Sequence, residues 1–359
     1  MRIAITHDYL NQFGGAERVL EVFTEMYPEA PIYTLFYDKE ALAGRFGTKI
    51  RKTSFLDNSF IRQHHRLSIP LMPFAAHLVN LGKDYDVVIS NSVGFGKAFR
   101  HKSAKHIFYC NALLRYAWDP KTHLREFLPS GVYALARPAA WAMKHWDRIT
   151  ARRADIIVAN SEYTRERIKK FYGRDSEVIY PPVNTDFFKP PEDKKQRDYY
   201  LAVGRFLPYK KFDIVVNAFN KLGLPLKIVG DGREYEKLKL LAKSPNTEFI
   251  GFVHDPVKLR ELYQRAKAFL FPQIEDFGLV AAEALACGTP VLGYDAAGAK
   301  EMVIPENNGL LFKKQSADAL ADAVEIFENM QFDSLKVAET TRKFSREEFI
   351  RRFRIIVGE

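Results

Sequence analysis

At 359 residues the chain is long enough for two domains of roughly 100–200 residues, each with its own core. Hydrophobic residues make up 47% and charged residues 27%, which excludes a disordered chain; no apolar run nears the ~20 residues that span a bilayer, and Cys110 and Cys287 lack the spacing of a zinc site or a disulfide framework. The net charge of +10 lies almost wholly in residues 1–182, which hold 27 Lys and Arg against 18 Asp and Glu, so any basic face belongs to the N-terminal half.

Short β-branched or apolar runs alternate with helical patterns throughout, which predicts an α/β class with two parallel sheets covered by helices. The apolar start is broken by His7 and Asp8, so no signal peptide is expected and the chain is assigned to the cytoplasm. Strands are predicted at 2–6, 32–35, 85–90, 106–110, 155–159 and 177–180. The helix after the first strand sets Ala16, Val19, Leu20, Phe23 and Met26 on one stripe. Tyr180-Pro181-Pro182-Val183 stops the sixth strand, and 183–198, with Pro190 and Pro191, is the predicted linker between a domain at 1–182 and one at 199–340. The alternation restarts with strands at 199–203, 226–229, 247–250, 268–271, 290–293 and 310–312, and helices at 210–222, 234–242, 256–265 and 278–286. Within the tail at 341–359, the amphipathic stretch 345–357 groups Phe349, Phe353 and Ile356 and can pack on either domain.

Several of the connections carry chemistry. Gly14-Gly15 lies between the first strand and its helix, where backbone N–H groups can approach an anion, although a tight turn explains the pair equally well. Gly230-Asp231-Gly232 also follows a strand, but Tyr235 stands where a dinucleotide fingerprint needs glycine, so no NAD site is expected. Arg205 and Lys210, beside a helix start, suit a diphosphate better than a single carboxylate, although a solvated basic turn explains them if the segment stands alone. The densest pattern runs from Glu275 to Glu283. Eight residues at ~1.5 Å helical rise span roughly 12 Å, the scale of a nucleotide sugar from hexose to ribose. Glu275 is then placed to accept from sugar hydroxyls, the amides of Phe277, Gly278, Leu279 and Val280 to hold phosphate oxygens, and Glu283 to bind ribose. Apolar neighbours around Glu283 predict burial, and a buried glutamate needs partners.

Six segments in order, Phe13-Gly14-Gly15-Ala16-Glu17, Ala159-Asn160-Ser161-Glu162, Tyr180-Pro181-Pro182-Val183, Gly204-Arg205 with Lys210, 275–283 and Ala286-Cys287-Gly288-Thr289-Pro290-Val291, give the chain a specific likeness. It resembles the family-4 retaining glycosyltransferases, and within them the mannosyltransferases of cell-surface and lipid-linked glycans. The resemblance implies a GT-B fold, two Rossmann-like domains facing each other across a donor and acceptor cleft, and a nucleotide-sugar donor: GDP-mannose by preference, a UDP-sugar as the second candidate. It implies that Gly15 lies near the donor phosphates, Arg205 and Lys210 neutralise them, Glu275 holds the sugar, Glu283 the ribose, and Val253 with Phe252 borders the base. The implied reaction is a front-face displacement with retention onto a hydroxyl of a glycan or polyprenyl-linked acceptor, the departing phosphate taking the acceptor proton. In relatives His stands at the position of Asn111, which hydrogen-bonds but exchanges no proton near neutral pH. A nucleotide-sugar binder with weak or no transfer is therefore kept as an alternative.

On the acceptor side the candidates are His7, His106, Asn111, Arg115 and Asp119. No metal and no other cofactor is expected: Asp84-Tyr85-Asp86 spells an acidic metal pair but precedes a strand, and Arg205 with Lys210 offsets diphosphate charge without an ion. Residues 97–153 carry 12 Lys and Arg against 3 Asp and Glu, interleaved with Phe99, Tyr109, Tyr116, Trp118, Phe127, Tyr133, Trp141 and Trp146. That stretch is expected to give peripheral contact with an anionic membrane surface on the inner face of the cell membrane. Ordinary core aromatics with a solvated basic face explain most of those residues as well. A nucleic-acid partner suits the charge but leaves 275–283 unexplained, and is not expected.

Overall fold

A computed structural model describes residues 1–119, 130–193 and 196–359, with side chains of 130–137 excepted. Two compact units divide the chain: Met1–Pro182 with Phe349–Glu359, and Val183–Glu348.

The first unit is built on a seven-stranded parallel sheet. Its strands are β1 (Ile3–His7), β2 (Ile32–Tyr33), β3 (Ile50–Lys52), β4 (Val87–Ser92), β5 (Lys105–Cys110), β6 (Ile156–Ala159) and β7 (Glu177–Val178). They lie in the order β3-β2-β1-β4-β5-β6-β7, so the winding reverses between β1 and β4. All five residues of β1 are buried, as a central strand covered on both faces requires. One face sets Ile3, Ile5, Ile89, Ile107 and Tyr109 against Leu20 and Phe23 of the helix Gly15–Met26. The other sets Ala4 and Val88 against Met72, Ala75 and Ala76 of the helix Met72–Leu78. The strand β3 escapes prediction because Ile-Arg-Lys at a sheet edge shows no apolar alternation.

The last helix, Arg346–Val357, begins in the second unit and ends in the first. Phe349, Phe353 and Val357, spaced four apart, are buried on the first sheet. The Phe353 ring stands 4.6 Å from Phe23, and that of Phe349 5.7 Å from Tyr109. Lys105 Nζ donates to the Ile356 carbonyl at 2.8 Å, a cation at a helix C-terminus.

The second unit carries a six-stranded parallel sheet in the order β10-β9-β8-β11-β12-β13. Its strands are β8 (Tyr199–Val203), β9 (Leu226–Val229), β10 (Thr247–Gly251), β11 (Ala266–Phe271), β12 (Val291–Tyr294) and β13 (Gly309–Phe312), and the winding reverses between β8 and β11. Residues 183–198, expected as a linker, group with this unit. Phe188 is buried with its ring 5.9 Å from Tyr263, Gln264 Nε2 donates to the Lys189 carbonyl at 2.8 Å, and Arg197 donates to the Gly288 carbonyl at 2.6 Å. An apolar anchor and these hydrogen bonds tie the described part of the segment to the second unit.

Candidate functional site

In the second unit the candidates gather at the C-terminal edge of the sheet, around the β8/β11 reversal, where open parallel sheets bind ligands. The turn after β8 is seated on the turn after β9: Gly204 N donates to Val229 O at 3.0 Å and Phe206 N to Asp231 O at 2.8 Å. A Cβ on Gly230 would stand 1.9 Å from the Gly204 carbonyl oxygen, and one on Gly232 2.6 Å from that of Phe206. Gly230-Asp231-Gly232 thus serves close backbone approach. Tyr235, in place of the third glycine, packs 6.0 Å from the Phe206 ring. With Phe206 fully buried, its neighbour Arg205 is exposed, and a 3-10 turn, Pro208–Lys210, ends on Lys210.

Lys210 forms an ion pair with Glu275 across the reversal, their side chains only 12% and 14% exposed. The Glu275 loop is held by backbone: Gly298 N donates to Glu275 O at 3.0 Å, and a Cβ on Gly298 would meet Phe277 O at 1.9 Å. Phe277 is buried with its ring 5.2 Å from Phe344. Gly278, at φ +105, opens the helix Leu279–Ala286 and offers no side-chain cap, leaving first-turn amides, Leu279 and Val280 among them, to other acceptors. The expected ~12 Å helical span from Glu275 to Glu283 is corrected here: the helix starts only at Leu279, because Gly278 holds a left-handed conformation that breaks it. Glu283 is buried, and the Tyr263 hydroxyl donates to its Oε2 at 3.1 Å. Val253 is half-buried beside exposed Phe252, just after β10, whose last residue Gly251 accepts from Gly230 N at 2.9 Å.

In the first unit a chain of polar side chains runs along the C-terminal ends of β1, β4 and β5. Gly14 N donates to Glu17 Oε2 at 2.8 Å, half of a capping box, just ahead of Gly15 at the helix start. Glu17 Oε1 lies 3.3 Å from His7 Nε2. Asn91 Nδ2 contacts His7 Nδ1 at 3.2 Å and donates to the Ala16 carbonyl at 2.8 Å. Because a carbonyl only accepts, Asn91 Nδ2 is the donor, His7 Nδ1 accepts, and Nε2–H faces Glu17. Asn111 Nδ2 donates to Asn91 Oδ1 at 2.6 Å, and Asn160 Nδ2 to Asn111 O at 2.6 Å. Burial works to lower the His7 pKa, but the hydrogen bond and charge of Glu17, the charge of Asp8 and a backbone contact with Asn91 outweigh it and hold it above the usual imidazole value. Asp8, also buried, accepts from Ser92 Oγ and the amides of Val93, Phe95 and Gly96 at 2.6–2.7 Å.

Not every candidate joins this group. His106 sits near the start of β5, on the opposite sheet face, with Nε2 2.8 Å from Ser90 Oγ. Burial first, then the charges of His101 and Lys97, push its pKa down to about 3. Arg115 opens the short helix Arg115–Trp118 and its carbonyl accepts from Asp119 N at 2.8 Å, while the Asp119 carboxylate is paired with Arg167. Asp86 Oδ2 accepts from Arg2 N at 2.7 Å at the N-terminal edge of the sheet, a strand-start role. Among the described residues no group of three or more His, Cys, Asp and Glu is placed to hold a metal.

Among its described residues, the basic aromatic stretch places several members in the core. Lys97 is buried in an ion pair with Asp147 at 2.6 Å, and Asp147 Oδ2 also accepts from Trp118 Nε1 and Tyr172 OH at 2.7 Å each. Phe99 and Tyr109 are core residues, Tyr116, Trp118 and Trp146 pack against the core, and Trp141 is exposed. Phe127 and the Tyr133 side chain lie outside the described residues. Composition counts inward and outward residues alike, and here it mixed them.

Asn91, Glu17, Asp8, Asp147 and Tyr263 were missed by sequence reasoning. The available signal was a polar residue ending an apolar strand, as at Asp8 and Asn91, but which polar groups meet depends on a strand order that sequence does not display.

Two family models match the chain: Glycosyltransferase Family 4 over residues 13–187 and Glycosyl transferases group 1 over 183–347. A GDP-mannose-dependent alpha-(1-6)-phosphatidylinositol monomannoside mannosyltransferase of Mycolicibacterium smegmatis is 25% identical over 90% of this chain and 87% of that protein. An uncharacterized glycosyltransferase of Methanocaldococcus jannaschii is 27% identical over 54% of this chain and 55% of its own length, so the chain spans about half of that relative. Anabaena HepE, solved in complex with UDP, superimposes with a TM-score of 0.73 at 18% identity over 99% of both chains. The fold is that of the GT-B enzymes, and with one model on each unit, together running from residue 13 to 347, the chain belongs to the family-4 glycosyltransferases.

Proposed function

We propose that the protein transfers a hexose, with retention, from a nucleotide sugar to a hydroxyl of a glycan or polyprenyl-linked acceptor, with GDP-mannose as the preferred donor and a UDP-sugar as the second. The Lys210–Glu275 ion pair carries this reading. A diphosphate brings more negative charge than one carboxylate, so it draws Lys210 and Arg205 to itself, and Glu275 is released to accept from sugar hydroxyls. Each hydrogen bond to a charged partner is worth about 1.5–3 kcal/mol. As the C1–O bond to phosphate breaks and the bond to the acceptor oxygen forms on the same face, negative charge grows on the leaving diphosphate. Arg205, Lys210 and the amides of Leu279 and Val280 stabilise it, and a phosphate oxygen takes the acceptor proton. Glu275 and Glu283 are both engaged in binding, so neither is assigned as a nucleophile. The mycolicibacterial relative, a GDP-mannose-dependent mannosyltransferase, supports guanine and mannose; the UDP in HepE supports the second donor.

A second reading, donor binding without efficient transfer, draws on Asn111. Its amide donates to Asn91, and it can serve neither as acid nor as base near neutral pH. Assaying nucleoside diphosphate release from GDP-mannose and from UDP-glucose, with polyprenyl-linked and free glycan acceptors, separates the two. Acceptor-dependent GDP release exceeding UDP release is expected, with Lys210→Ala slowing it ~100-fold or more. Binding without release favours the second reading, and neither binding nor release contradicts both.

A further inference from the structure

We infer that the face formed by residues 55–78 and the outer stripe of residues 138–151 in the helix Ser130–Ala151 docks on an anionic lipid bilayer. The inference concerns a surface of the first unit and does not depend on which donor is used. The helix Met72–Leu78 is apolar apart from the exposed His77. Met72, Ala75 and Ala76 are buried in the sheet's core, while Phe74, Leu78 and the preceding Leu71 are exposed, Phe74 by 60%. A globular helix turns a polar face to water, and one apolar on both sides meets a second apolar phase.

The outward face is continuous. The Phe55 ring, also exposed, stands 6.1 Å from that of Phe74. A groove of about 390 Å³ separates Phe74 and His77 from Trp146 and Ile149 on the long helix and Arg153 just past its end. Two turns earlier on the Ile149 stripe, Trp141 is 70% exposed, with His145 stacked between them at 6.1 Å.

Charge selects the occupant. Residues 55–78 hold Arg62 and Arg66 with Asp57 as the single acid, its carboxylate paired with Arg62 at 2.8 Å, and from Pro138 to Arg153 the sequence has four Lys and Arg with Asp147 as the single acid. Asp147 is buried against Lys97 and contributes nothing outward. Two copies meeting face to face would set like charges together. An anionic headgroup layer complements the cations, while the acyl boundary takes Phe74, Leu71 and Trp141. The membrane contact expected from 97–153 thus moves to a different surface, keeping only the residues of that stretch on the outer side of the long helix.

Co-sedimentation of the full chain with phosphatidylcholine vesicles, with and without phosphatidylglycerol, tests this. The chain should pellet with the anionic vesicles only, less at high salt, and Trp141 emission should shift blue, a change lost in Trp141→Phe. Phe74→Gln with Leu78→Gln, at exposed positions that leave the unfolding midpoint unchanged, should weaken binding about tenfold or more. Arg153→Ser should weaken it about fivefold. Three results overturn the inference: wild-type chain left in the supernatant with anionic vesicles; equal pelleting of the double variant; or a wild-type dimer by light scattering that the double variant dissolves while vesicle binding stays the same, which makes the face a contact between copies.

Discussion

His7 and His106, buried in one unit, respond to pH in opposite senses. The His106 pKa, held down to about 3 chiefly by burial, is below its ordinary 6.5. The stability tied to it is complete above pH 6.5 and is lost as pH falls toward 3, because the unfolded chain takes up the proton first. His7 is raised, so its contribution is complete below 6.5 and fades as pH climbs through the raised value. Urea unfolding of His106→Leu followed between pH 6.5 and 4 should lose up to about 1.4 kcal/mol per pH unit of the wild-type slope; an unchanged slope would contradict the assignment. At this scale the sequence made Arg205, Lys210, Glu275 and Glu283 conspicuous through residue type beside a strand end. It hid their partners: that Lys210 meets Glu275, and that Asn111 meets Asn91 and Asn160, follows from strand order and not from spacing.

Helix starts and strand ends position those residues, and glycine decides how closely they can do so. Gly278 sits at φ +105 with a would-be Cβ 2.4 Å from the Phe271 ring, whereas Gly223, at φ +64 after the helix Phe212–Leu222, has open space around it. Gly223→Ala should therefore cost about 1 kcal/mol through backbone conformation alone. Gly278→Ala should cost more, about 2–4 kcal/mol, since strain and clash add, and should weaken nucleotide binding by moving the helix start. Equal losses in thermal or urea unfolding would contradict the packing described. Strands such as Tyr199–Val203 and Leu226–Val229 were legible to the residue because continuous apolar runs mark buried parallel strands. Ile50–Lys52 was not, being an exposed edge.

Over the whole molecule, two parallel sheets each reverse their winding once, and each reversal collects polar groups at the C-terminal strand ends. Alternation of apolar runs with helical stripes was enough to foresee that duplication. The placement of the +10 charge was only half legible: the count located it in the first half, but solvent exposure, not sequence, separates buried Lys97 from surface Arg153. Donor binding depends most on Arg205 and Lys210 gripping the diphosphate, and calorimetric titration of GDP and UDP into wild type and Arg205→Ala addresses that grip directly. Saturable binding to wild type is predicted, weaker by about 10- to 100-fold in Arg205→Ala with the unfolding midpoint unchanged because the side chain is exposed. Equal affinity in the variant, or no binding of either nucleotide to wild type, would contradict it.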